Sequence, residues 1–216
     1  MKNIQQTLLT LLLVLVTAIA GAADYVEGKN YEVLKNPQPT GDPASIEVLE
    51  LFWYGCPHCY RLEPYIHDWL QHKPDDVKFV RLPAILGNGW ELLAKGFFTA
   101  EMLGVLDQVH SELFAAIHEK KEKFRDDKAV RSFFIEHGVK PEDFDKIYNS
   151  FAVAVKVNNA RLMTRNYAIT GVPTLIVNGK YSTSASLAGG NAEVPRVVDF
   201  LVARERKTAA AAGTAH

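Results

Sequence analysis

Cysteine is nearly absent, with two in 216 residues, Cys56 and Cys59. A chain of this length buries a full core without covalent staples, so the pair is not needed as a disulfide scaffold. An excess of charge of one sign is missing as well. Lys and Arg number 24 against 25 Asp and Glu, a net charge of −1, which supplies no basic face for a phosphate backbone and argues against nucleic-acid binding. Beyond the first two dozen residues no run is apolar enough to cross a bilayer. A zinc site needs about four ligands, but there is no second cysteine pair, and His67, His72, His110, His118 and His137 show no ligand spacing. No metal and no cofactor is expected. What remains is 48% hydrophobic and 23% charged, the composition of an ordinary globular chain.

The N-terminus reads as an address. Lys2 is followed by the uncharged 13-residue stretch Leu8–Ala20, then by Ala20-Gly21-Ala22, a small-x-small cleavage pattern. The stretch is short for a permanent anchor, so residues 1–22 are expected to be a cleaved signal peptide. The mature chain is expected outside the cytosol, where disulfides persist.

Periodicity gives an α/β order. Asn36–Ala44, with three prolines and a glycine, leads into Ile46–Trp53, apolar apart from Glu47 and Glu50, as in a strand covered on both faces. Leu62, Ile66, Trp69 and Leu70 recur at helical spacing from the cysteines onward, and Val77–Leu82 is a second strand, parallel to the first if the crossover is right-handed. From Gly87 to Thr170 only helical spacing appears, over Glu91–Leu103, Gln108–Glu122, Lys128–Glu136 and Glu142–Tyr167. Thr174–Val177, Asn178-Gly179 and Lys180–Thr183 form a hairpin. Val194–Arg204 is a closing helix, and Thr208–His216 an Ala-rich frayed tail. The domain reading is 23–87 as the first part of an αβ core, 88–166 as an inserted helical block, and 167–216 as the second part.

Cys56-Pro57-His58-Cys59 falls at the strand-to-helix turn, with Pro57 at the first helical position. A disulfide closing so short a loop constrains the unfolded chain weakly, which favours reversible redox work over a structural bond. Cys56, at the outer end, is the attacked and attacking thiol, its thiolate favoured by the helix N-terminus; Cys59, one turn deeper, is the resolving thiol. A structural disulfide, a metal module and a cysteine protease are the alternatives, the last disfavoured because Cys59 competes as a disulfide partner. Glu50 is mid-strand, where an unpaired carboxylate is costly to bury, and Arg81 is placed to pair with it. It is a structural ion pair, a Glu on an exposed patch, or a group that handles the proton of Cys59.

CPHC at 56–59, together with Gly171-Val172-Pro173-Thr174 before a strand and the helical insertion, resembles the DsbA family of thiol:disulfide interchange proteins, within the thioredoxin superfamily. The resemblance spans essentially the whole mature chain. It implies a thioredoxin-like fold with an inserted all-helical subdomain, and an oxidase that donates a Cys56–Cys59 disulfide to reduced, unfolded exported polypeptides. It also implies a cis bond before Pro173, with Val172 and Pro173 forming a peptide-accepting loop in an apolar groove, and redox tuning by Pro57, His58 and Glu50. A quinone-linked membrane protein of the DsbB type is the implied reoxidant, and a monomer the expected state. The family usually carries Lys where this chain has Arg81, which cannot give up a proton. A disulfide isomerase or reductase of the same fold, and a non-catalytic periplasmic chaperone, are the competing readings.

Overall fold

The structure is a computed structural model that describes residues 25–42 and 44–213; the expected signal peptide, 1–22, lies outside the described residues. The strands are β1 (Glu32–Val33), β2 (Ile46–Phe52), β3 (Val77–Pro83), β4 (Thr174–Val177) and β5 (Tyr181–Thr183). Helix α1 (Pro57–Leu70) joins β2 to β3, and α2 (Trp90–Leu103), α3 (Leu106–His118), α4 (Asp127–Glu136), α5 (Pro141–Tyr148) and α6 (Phe151–Asn166) fill the interval between β3 and β4. Short α7 (Ala185–Ala188) and long α8 (Val194–Gly213) complete the chain.

The sheet order is β1-β5-β4-β2-β3. Strand β2 is central, parallel to β3 and antiparallel to β4. Its two faces feed two cores, because side chains alternate along a strand. Val48, with Leu175 and Val177, joins Leu62, Ile66 and Trp69 of α1 and Val197 and Leu201 of α8. Leu49 and Leu51, with Ile176, join the aromatic interior of the helical block, including Phe97, Phe114, Phe134 and Phe144. A strand dry on both faces has no use for polar alternation, which leaves fully buried Glu50 as the exception.

Two expectations needed correction. The interval Glu142–Tyr167 is two helices, not one, because Ser150 adopts an extended conformation and its hydroxyl accepts from the Val153 N–H at 3.3 Å, capping α6. Of the tail expected to fray, Thr208–His216, the described part Thr208–Gly213 continues α8, since alanine has the highest intrinsic helix propensity and nothing stops the helix before it; residues 214–216 lie outside the described residues. Strand β1 and helix α7, two and four residues long, are too short to carry a period.

At the β4–β5 turn Asn178 and Gly179 both have positive φ, 50° and 64°, the type I′ pattern that matches strand twist. The Gly179 carbonyl accepts from the Gln38 N–H at 2.9 Å, and a Cβ on Gly179 would lie 1.9 Å from the Gln38 carbonyl oxygen. Gly179→Ala is therefore expected to destabilise the protein by about 2 kcal/mol or more. Denaturant midpoints measure this, and an unshifted midpoint would show that the 36–44 loop does not bear on the turn.

Candidate active site

Strand β2 ends at Phe52, and the Cys56 N–H donates to the Trp53 carbonyl at 2.9 Å, folding residues 53–56 into a turn. Cys56 is extended (φ −86°, ψ 117°) and sits at the N-cap of α1, with Pro57 next. Both cysteines are thiols here. Cys56 keeps 8% exposure and Cys59 none, so both are buried and Cys56 is the one with access to solvent. When protonated, the Cys56 thiol donates to the Val172 carbonyl at 3.4 Å. The Val172–Pro173 peptide is cis, which brings a loop 116 residues away in sequence against the sulfur.

The two thiols ionise very differently. A hydrogen bond from the Cys59 thiol, helped by the amides of Cys59 and His58 and by charge on His58, outweighs burial and holds Cys56 at about 5. Burial pushes Cys59 far up, and the hydrogen bond and charge of Cys56 and the charge of Glu50 push it further. The pair therefore carries one thiolate, on the outer sulfur.

Beneath it lies a cluster of charge. Glu50 and Arg81 are directly opposite in the β2–β3 register, and Arg81 Nε donates to Glu50 Oε2 at 3.2 Å. The other arm of the guanidinium donates to Glu63 Oε2 on α1, also at 3.2 Å. One cation serves two carboxylates. Burial first, then the charge of Glu63, raises Glu50 well above the usual carboxylate range despite Arg81. Burial pushes Glu63 up too, but His110 and Arg81 together overcome it and hold Glu63 below its ordinary value.

The helical block grips the turn that carries the cysteines. Trp53 stacks on Trp90 of α2, 4.2 Å between centroids and 10° between planes. A methyl on Gly55 would sit 2.4 Å from the Trp53 ring, so the indole needs glycine there. His118 Nε2 lies 2.7 Å from the Tyr54 carbonyl, and His110 Nδ1 lies 2.8 Å from the Tyr54 hydroxyl. His110 and His118 carried no sequence signal as site residues; no local motif marks them, because their partners are more than fifty positions away. His58 is exposed beside Cys56 and accepts at Nδ1 from Arg61 at 2.9 Å, a pairing at i, i+3 that helical spacing could have suggested.

A cleft of about 480 Å³ runs beside His58, Val172 and Pro173. It is mixed and not the apolar groove expected, since Thr170, Thr174 and Ser184 line it along with Leu34 and Leu187. Among the described residues no group of three or more His, Cys, Asp or Glu is placed to hold a metal.

The lowered Cys56 predicts a pH dependence with a definite sign. A thiol whose folded pKa lies below its unfolded value stabilises the dithiol form above the unfolded value, and that contribution is lost as pH falls through about 5. Melting the dithiol and disulfide forms side by side from about pH 4 to about pH 8 should show the dithiol's advantage widening, by at most about 1.4 kcal/mol per unit. A gap independent of pH would contradict the thiolate.

Comparison with known proteins agrees with this geometry. The family model for the DSBA-like thioredoxin domain matches residues 47–202. The chain is 42% identical over 209 residues to the thiol:disulfide interchange protein DsbA of Pseudomonas aeruginosa, covering 97% of this chain and 99% of that one. It is 38% identical to the DsbA of Burkholderia cepacia over 204 residues, 94% of this chain and 96% of that one. The crystal structure of Pseudomonas aeruginosa DsbA superposes with a TM-score of 0.83 at 44% identity, covering 87% of this chain and 98% of that one. With a thioredoxin-like core, a paired thiol at the head of α1 and this degree of identity along nearly its whole length, the chain belongs to the DsbA family of thiol:disulfide oxidoreductases.

Proposed function

We propose that the protein donates a Cys56–Cys59 disulfide to reduced, unfolded polypeptides exported to the periplasm, with Cys56 as the reacting sulfur. The observation that carries this is the contrast between a slightly exposed Cys56 favoured as thiolate and a fully buried Cys59 favoured as thiol. A substrate thiolate attacks the Cys56 sulfur, the Cys56–Cys59 bond breaks, and Cys59 leaves with the electron pair and takes up a proton. A second substrate thiolate then attacks the substrate sulfur of the mixed disulfide and expels Cys56 as thiolate. The substrate loses two electrons to become a disulfide, and the protein gains them as a dithiol. A stabilised leaving thiolate drives the second step forward.

Glu50 supplies the proton that Cys59 takes up, a role suited to a carboxyl kept protonated by burial. Arg81 orients it and does not itself transfer a proton. His58 and Pro57 tune the outer thiolate. Val172 and Pro173 present backbone to an extended substrate in the cleft, main chain to main chain. Each donation consumes the disulfide, so turnover needs an electron acceptor, which we assign to a quinone-linked membrane protein of the DsbB type. The chain works as a monomer, exported by residues 1–22.

Equilibration with glutathione redox buffers, acid trapping and thiol counting decide between donor and reductant. The expected potential is near about −120 mV, the value belonging to DsbA itself; one near the thioredoxin value of about −270 mV would make the protein a reductant. Cys59→Ser should accumulate the mixed disulfide with a substrate peptide, and Cys56→Ser should abolish exchange; a protein whose cellular action survived Cys56→Ser would be a chaperone. Glu50→Gln should slow disulfide opening roughly tenfold to a hundredfold while leaving the far-UV spectrum unchanged. Unchanged kinetics would remove Glu50 from the proton step.

A further inference from the structure

The cluster under Cys59 does not end at Glu63. His110, on α3 of the inserted helical block, is buried, and its Nε2 lies 3.4 Å from Glu63 Oε1. The two atoms face each other, and among the described residues neither has another polar partner. On the other side of the ring, His110 Nδ1 meets the Tyr54 hydroxyl at 2.8 Å. The tautomer follows from these neighbours: a proton on Nε2 faces the carboxylate, which leaves Nδ1 to accept from the tyrosine O–H. The groups then run in one direction, from Tyr54 to His110 to Glu63, with Arg81 donating to both Glu63 and Glu50.

A fully buried carboxylate and a partly buried one, with one guanidinium between them, cannot both ionise cheaply, so one retains a proton. We propose that His110 decides which: by presenting its N–H to Glu63 it keeps the charge there, and Glu50 keeps the proton. The helical insertion thereby acts on the redox centre through a positioning residue that touches neither sulfur. Among the described residues, the charges of His67 on α1 and Asp107 on α3 also act on this cluster, and Glu50 in turn acts on Cys59. Burial lowers His110 against the opposing pull of Glu63, in keeping with a neutral ring that donates without carrying charge of its own.

The inference rests on the role proposed above for Glu50, and the test separates the two. Carboxyl ¹³C NMR titration of the dithiol protein, with Glu50→Gln and Glu63→Gln for assignment, reads the order of protonation directly. Glu50 should titrate above Glu63. In His110→Phe, which keeps an aromatic ring among Phe52, Phe97 and Phe114, the gap should close or invert, with Glu50 falling by about one pH unit. The rate of disulfide opening per glutathione thiolate should then begin its alkaline decline about one pH unit lower. Tyr54→Phe removes a single oxygen and should move both readouts the same way by less, which serves if His110→Phe does not fold. Glu63 titrating above Glu50 in the wild type, or an unchanged gap in a folded variant, overturns the proposal. A gap that moves while the rate profile stays fixed upholds the action of His110 and removes Glu50 from the proton step instead.

Discussion

Negative charge on a sulfur that is nine-tenths covered is the constraint that the rest of the molecule answers to. A thiolate in that position loses most of its hydration, and only aimed donors restore it. The donors come from one place, the first turn of α1, where the backbone amides have no helical partner and Cys59 lies one turn inward. The same packing that supplies these donors denies them to Cys59, which sits in the core with a carboxyl nearby. The asymmetry of the pair is thus a property of depth, and depth is set by where β2 stops and α1 starts.

The helical block secures that boundary. It grips the short turn between β2 and α1 by a ring stack on Trp53 and by histidine contacts to both the carbonyl and the hydroxyl of Tyr54. A turn held at three points by another layer of structure has little freedom to let Cys56 recede or Cys59 surface. This gives the insertion a physical purpose beyond covering one face of the sheet, and it places the contact between core and insertion within a few residues of the chemistry.

Much of this was legible in the chain itself. CPHC, Val172-Pro173 and Asn178-Gly179 are short signals whose meaning is local: a helix start, a proline-bearing loop and a tight turn. The uninterrupted apolar character of Ile46–Phe52 located the central strand, and made Glu50 conspicuous within it. The pairing of Glu50 with Arg81 followed from two strands lying side by side. Other features had no local mark. Glu63 looks like any polar residue of an amphipathic helix until its guanidinium partner is in view, and His110 looks like a surface histidine until α3 is packed against α1. Ser150 hides a helix boundary within a stretch whose apolar spacing hardly changes. Such features depend on what the fold brings together across many residues, and periodicity does not report that.

The stacked indoles have a further consequence. The chain has three tryptophans, and two of them, Trp53 and Trp90, lie face to face at 4.2 Å, one on each side of the seam between core and insertion. The third, Trp69, is far along α1, its ring N–H donating to Asp199 at 2.8 Å. Parallel chromophores so close couple their electronic transitions, and the coupling depends steeply on separation and tilt. The protein therefore contains an intrinsic optical gauge of the seam three residues from Cys56, with an independent emitter elsewhere as its internal standard.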